Sequence, residues 1–196
     1  IARMEKLDPG SFDPAEFLPS STRDTAGIYD ELLAMIGRME NAHIRGLLTT
    51  IFGDEGFRAG FEKAPAAKGW HHSYVGGLAE HVYDMARLAL AAAEVYPEAD
   101  RDLLLAGVLL HDLGKLEELF ATNRIDYTDK GRLVGHIALG AAFLDEFLRG
   151  MTDFPEELAL RLRHMVLSHH GSRENGSPVV PMTVEALLLN YVDNMD

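Results

Sequence analysis

The stretch LLLAGVLLHDLGK, residues 103–115, decides how the rest of the chain is read. From Leu103 to Leu110 no side chain is polar. A helix that is apolar all round lies inside a protein, so the pair that follows, His111 and Asp112, emerges in the interior. A buried carboxylate with no partner costs on the order of several kcal/mol. Two remedies suggest themselves: the ammonium of Lys115, close by in sequence, or a divalent cation. Adjacent His and Asp can reach one cation if the helix ends there, and Gly114, read as a C-terminal glycine, implies that it does.

Working outward, the other histidines repeat the theme. His81 shares a 3.6-residue stripe with Leu78, Met85, Leu88 and Ala92. His136 opens GHIALGAAFLDEF on the face of Leu139, Phe143 and Phe147. His169 closes RLRHMVLSHHG on the face of Leu162 and Met165, with His170 in the same turn. Asp193 stands in ALLLNYVDNMD, along the face of Ala186 and Asn190. Each of these alone reads more simply as a satisfied core residue. Together they read otherwise: four helices carry a core-facing His or Asp, a fifth carries both, and one shared metal centre satisfies them all. His43 and His164 are read as structural. His164 lies five residues before His169 and so points about 140° away around the helix.

The chain has 196 residues and no cysteine. Disulfides and thiolate metal sites are therefore excluded, and imidazole and carboxylate must do the ligation. That donor set suits Mn, Fe, Co, Ni or Zn rather than Ca. It exceeds the needs of one tetrahedral ion, which argues for two ions bridged by one carboxylate, with Asp112 the natural bridge. The expected cofactor is a pair of divalent transition-metal ions, Mn²⁺ first among them. The net charge of −13 repels nucleic acid and membrane phosphates at long range, so a nucleic-acid substrate needs a local basic patch. No stretch reaches the roughly 18 apolar residues of a membrane span, and no signal peptide is visible. The expectation is a cytoplasmic protein with no membrane partner; self-association is left open.

Periodicity predicts an all-α fold in one domain, residues 27–196, behind an irregular arm or linker, residues 1–26, rich in Pro, Ser, Asp and Gly. Helices are expected over Ile28–Met39, Ile44–Phe52, Glu55–Phe61, Tyr74–Val95, Asp102–Leu113, His136–Leu148 and Glu156–Ser168, with a last one starting near Thr183. Residues 122–132 are expected to be a polar loop.

The ordered pattern H…HD…H…HH…D, with HDLGK in full, resembles the HD superfamily of metal-dependent phosphohydrolases. The resemblance implies an HD-domain helical bundle in which His81, His111, Asp112 and Asp193 hold a first metal. Asp112, His136 and His169 would hold a second, with His170 beside it and Lys115 facing the phosphate. Within that superfamily KAPAAKGWHHSYVGGLAEH, RDLLLAGVLLHDLGK, YTDKGRLVGHI and HMVLSHHGSRENGSPVVPMTVEALLLNYVDNMD look like the YhaM-type 3′-5′ exoribonucleases. The implied activity is hydrolysis of phosphodiester bonds from the 3′ end of single-stranded RNA or DNA. Relatives typically carry an OB-fold ahead of the helices, and no room for one is seen here. The chain departs from the cyclic-di-GMP phosphodiesterases: GSRENGSPVVP lacks their Gly-Tyr-Pro, and Gly77 stands where some carry a further carboxylate.

Around this nucleus His71 and His72 are candidates to bind phosphate or to protonate the leaving oxygen, together with Lys115 as a catalytic cation. Lys68, Trp70, Arg132 and Arg173 are candidates for substrate binding, with Arg124 and Lys130 as further members of a local basic patch. Glu80 and Glu117 adjoin the metal-binding candidates and could steady them. Three other functions compete: a small-nucleotide phosphohydrolase, a di-iron oxygenase built on the same six residues, and a regulatory binding module.

Overall fold

The computed structural model describes residue 11, residues 17–69 and residues 71–196. Of the expected arm, residues 1–10 and 12–16 lie outside the described residues, and so does Trp70.

Ten helices and one small antiparallel ribbon make up the described residues. Helices α1 (Thr25–Gly37), α2 (Ala42–Phe52) and α3 (Glu55–Phe61) each begin on an Asp or Asn cap: Asp24, Asn41 and Asp54 accept the first free backbone N–H groups. Helix α4 (Gly77–Val95) follows, then α5 (Arg101–Leu110), capped by Asp100. Every residue of α5 from Asp102 to Leu110 is buried, against α2, α4, α9 and α10. The hydrophobic effect drives this burial. The helix thus delivers His111 and Asp112 to the middle of the bundle.

The α5 helix stops at Leu110, three residues earlier than the pattern suggests, and residues 111–114 form turns. The helix ends before Gly114, as that glycine suggests, but Gly114 itself is not left-handed; its φ and ψ are −61° and −20°. Glycine is needed there for closeness. A Cβ at position 114 would stand 1.9 Å from the His136 carbonyl oxygen and 2.6 Å from the Gly140 amide nitrogen. The turn after α5 therefore lies directly against the start of α8, and this contact brings Asp112 and His136 together.

The region read as a polar loop is ordered structure. A single turn, α6 (Lys115–Glu118), leads into β1 (Leu119–Ala121), which pairs antiparallel with β2 (Ile125–Tyr127), Phe120 facing Asp126. Helix α7 (Asp129–Val134) then starts on Thr128, whose side chain accepts from Gly131 N–H. Strands of three residues are too short for alternation to show. Helices α8 (His136–Arg149), α9 (Glu156–Ser168) and α10 (Val184–Met195) complete the bundle, and the fold is all-α but for this ribbon. Among the described residues no helix is long and apolar enough to cross a membrane.

The described end of the expected arm is attached to the bundle. Ser21 N–H donates to the Val75 carbonyl (2.8 Å), and Val75 N–H donates to the Pro19 carbonyl (2.9 Å). Arg23 makes ion pairs with Asp84 (2.5 Å) and Glu80 (3.5 Å) on α4.

Candidate metal centre

Side chains from α4, the turn after α5, α8, the end of α9 and α10 meet around Asp112, which is 2% exposed. Its two oxygens face different partners. Oδ2 lies 3.5 Å from His81 Nε2 and 3.3 Å from His111 Nε2, while Asp193 Oδ1 lies 3.4 Å from the same His81 nitrogen. On the other side Oδ1 lies 3.6 Å from His136 Nε2 and 3.7 Å from His169 Nε2. Ligating atoms of His81, His111 and Asp193 all fall within 4.8 Å of one another, and so do those of His136, His169 and His170. Asp112 sits between these two clusters.

Each imidazole is oriented from behind. Nδ1–H of His111 donates to the Val108 carbonyl (2.8 Å), and that of His169 to the Val166 carbonyl (2.7 Å). The same nitrogen in His81 faces the Asp196 carboxylate (2.7 Å), in His136 the Glu118 carboxylate (3.1 Å), and in His170 the Asn175 carbonyl (2.9 Å). With Nδ1 the donor, the lone pair falls on Nε2 and points to the centre.

Those lone pairs have nothing to bind within the protein. Among the described residues, the buried side-chain atoms with no hydrogen-bond partner are His81 Nε2, His111 Nε2, Asp112 Oδ1, His136 Nε2, His169 Nε2 and Ser177 Oγ. Five of these six belong to one spot, whereas buried polar atoms are ordinarily paired. Buried carboxylates elsewhere follow the rule: Asp102 accepts from Glu40 N–H and Asn41 N–H, and Glu185 accepts from Asp100 N–H and Arg161. Converging, unpaired nitrogen and oxygen acceptors fit divalent transition metals.

Charge in the cluster is balanced accordingly. Burial opposes ionisation of Asp112, yet the Lys115 ammonium, 2.5 Å from Oδ2, and the adjacent His111 hold its carboxyl well below the usual range. Burial would likewise keep His81 neutral, but the facing carboxylates of Asp112, Asp193 and Asp196 raise it well above an ordinary histidine. Burial and the neighbouring His111 push His169 the other way, well below the ordinary value.

The remaining candidates scatter. His170, Lys115 and His136 line a cleft of about 720 Å³, with Lys68 and Tyr127 on its walls. Lys68, Arg124 and Arg132 all converge on Asp126 (2.7, 3.2 and 2.8 Å), whose carboxyl the Lys68 hydrogen bond pulls down to about 2. Lys130 pairs with Glu117 at the surface (2.5 Å), and Arg173 is exposed in the loop after α9. His71 is exposed, its Nε2 3.8 Å from Asp196.

His72 does not fit the role of phosphate binder or proton donor suggested by the sequence. It is buried, and its two nitrogens are taken by Tyr74 Oη (2.8 Å) and Asp196 Oδ2 (3.0 Å). Among the described residues it is the one non-glycine with positive φ, 56°. It braces Asp196, which braces His81; His71 joins them in a third His/Asp group only through its 3.8 Å approach to Asp196. His164 accepts from Met182 N–H (2.9 Å), and His43 lies against the Phe154 ring, both away from the centre.

Two supporting carboxylates were missed. Glu118, not Glu117, holds His136, and Asp196 holds His81, while Glu80 accepts from Tyr74 Oη (3.2 Å). Asp196 was legible in principle, since it follows Asp193 by three residues on one helix face. A single-turn α6 gives no periodicity by which Glu118 could be told from Glu117.

Comparison with known proteins agrees with this geometry. The chain is 41% identical over 181 residues to the 3′-5′ exoribonuclease YhaM of Bacillus subtilis, covering 92% of this chain and 57% of that protein. It is 40% identical over 181 residues to YhaM of Bacillus velezensis, and 37% identical over 182 residues to YhaM of Listeria monocytogenes serotype 4b, again spanning 57% of each. The chain thus covers little more than half the length of these relatives. No solved structure matches it. The HD domain family model matches residues 78–196, from α4 to the end of α10 and including every residue that surrounds Asp112. This chain belongs to the HD-domain family.

Proposed function

We propose that this chain is a metal-dependent phosphodiesterase that removes nucleotides from the 3′ end of single-stranded RNA or DNA. The observation that carries the reading is the set of five unpartnered acceptors, four imidazole Nε2 atoms and Asp112 Oδ1, gathered on the two sides of one carboxylate at the end of a cleft that Lys68 and Lys115 line. The YhaM exoribonucleases that the chain resembles supply the substrate class.

His81, His111, Asp193 and Asp112 Oδ2 would hold one divalent ion, and His136, His169, His170 and Asp112 Oδ1 a second, with Mn²⁺ the first choice. A bound pair supplies Lewis acidity and lowers the pKa of water from about 15.7 toward neutrality. The chain's own residues do the rest. Glu118 and Asp196 fix the tautomers of His136 and His81. The Lys115 ammonium, beside Asp112 and on the cleft wall, meets a non-bridging phosphate oxygen and neutralises charge as it builds on phosphorus. Lys68 and Arg132, with Arg173 from the loop after α9, bind the phosphate backbone. His71, exposed beside Asp196, is the candidate to hand a proton to the leaving oxygen. The chain contains no cysteine, which is in keeping with a reducing, cytoplasmic setting.

The net charge of −13 favours a second reading, a small-nucleotide phosphohydrolase, because it repels long polyanions. One panel separates the two: 5′-labelled single-stranded RNA and DNA, nucleoside triphosphates and bis(p-nitrophenyl) phosphate, each with Mn²⁺ and with chelator. The proposal expects a ladder shortening from the 3′ end and close to two transition-metal ions per chain. Turnover of mononucleotides alone would favour the second reading, and a chain that binds no metal would refute both.

A further inference from the structure

The cleft does not stop at the metal-binding candidates. Residues 63–69 form one wall and residues 115–121 the other, and between them lie two cavities that share Leu119. The larger ends at His136 and His170. The smaller, about 320 Å³, continues away from them, and Gly56, Phe57, Gly60, Ala64 and Pro65 line it, with the exposed Lys63 at its side.

We propose that this smaller cavity is a second nucleobase subsite, so that the substrate is an oligonucleotide laid along the trench rather than a single nucleotide. The inference rests on the phosphodiesterase reading above and sharpens its substrate class. Chemistry changes along the trench in the way a nucleic-acid strand does. Lys63, Lys68 and Lys115 stand along its length, the last two paired with Asp126 and Asp112, and their ammonium groups suit successive phosphates. Beside Lys63 the recess is mainly apolar, has on its wall the Phe57 ring, itself packed against Phe61 and Phe143, and offers no set of hydrogen-bonding side chains to read one base. Such a surface accepts the flat face of any base, as sequence-tolerant single-strand binders require. Its volume sits at the low end of the roughly 300–1,000 Å³ usual for ligand pockets, enough for one ring system. A mononucleotide held at the catalytic end would leave it empty.

Gly60 gives the test. A Cβ there meets nothing within 4 Å, and Gly60 lines the recess. Gly60→Leu fills that space, and leucine favours the helix more than glycine does. Gly60→Ala shares the helix preference and fills far less. The measurement is kcat/KM for di-, tri- and hexanucleotides with Mn²⁺, alongside bis(p-nitrophenyl) phosphate on the unmodified protein. One base contact is worth about tenfold in kcat/KM, so the unmodified chain should gain about that factor from dimer to trimer. In Gly60→Leu the ratio should fall toward one, and in Gly60→Ala it should persist. Equal kcat/KM at all lengths, or a gain that survives Gly60→Leu, overturns the subsite while hydrolysis of bis(p-nitrophenyl) phosphate keeps the phosphodiesterase reading. No hydrolysis of any ester removes both. Should Gly60→Leu disturb the fold, Lys63→Glu at the exposed rim replaces it: it should lower the trimer-to-dimer ratio, and an unchanged ratio overturns the proposal.

Discussion

Replacing Lys115 with methionine removes one ammonium and keeps most of the stem. That ammonium is 2.5 Å from Asp112 Oδ2, a carboxylate only 2% exposed. Removing one partner of a buried pair costs about 3–5 kcal/mol. Asp112 keeps His111 and His81 at 3.3 and 3.5 Å, so the low end applies. A domain of this size loses about 2–4 °C per kcal/mol. A cost of about 3 kcal/mol then places the chelated variant roughly 6–12 °C below chelated wild type. Divalent ions at the centre take over the charge of Asp112, so the loaded variant should melt within a degree or two of loaded wild type. Turnover should behave in the opposite way: full metal content, with kcat lower by about 10²–10³-fold, the size of one lost transition-state donor. Melting temperature, metal content and kcat on one preparation decide the matter. Equal destabilisation with and without metal, or full turnover at full occupancy, would refute the argument.

Three further outcomes are expected. Gly114→Ala should abolish metal binding or soluble expression, since its methyl would overlap the His136 carbonyl at 1.9 Å; a stable, metal-loaded variant would show that the α5–α8 contact can relax. Asp196→Asn should weaken metal at the His81 side and Glu118→Gln at the His136 side, each by about 10–100-fold, read as changes in different steps of one metal titration. His164 is held below its ordinary 6.5 by burial, so its contribution to stability is complete above that pH and is lost as pH falls through the lowered folded value. The drop in Tm between about pH 7.5 and about pH 5.5 should therefore shrink in His164→Gln, and an unchanged drop would assign the effect to other groups.

Much of the helical frame was legible because apolar residues recur at helical spacing. The residues around Asp112 were legible for a different reason: His81, His111, His136, His169 and Asp193 occupy core-facing helical positions where a polar group needs an explanation. What escaped notice has little periodic signal. The ribbon and α7 are built from runs of three and six residues, too few to display a period of 2 or 3.6. His72 read as a loop residue open to substrate, because nothing in HHS announces that its ring turns inward to Asp196. Gly114 was given a common glycine role, helix termination, when its actual role depends on a neighbour more than twenty positions away.

The attachment of residues 19–23 to Val75 and α4 gives the centre a mechanical handle. Val75 lies three residues beyond His72, whose left-handed backbone is held between Ala66 N–H and Tyr74 N–H on its carbonyl. A protease cutting after Arg23 would leave every metal-binding candidate intact. It would nonetheless sever the strap that pins the His72 loop, and with it the brace running through Asp196 to His81.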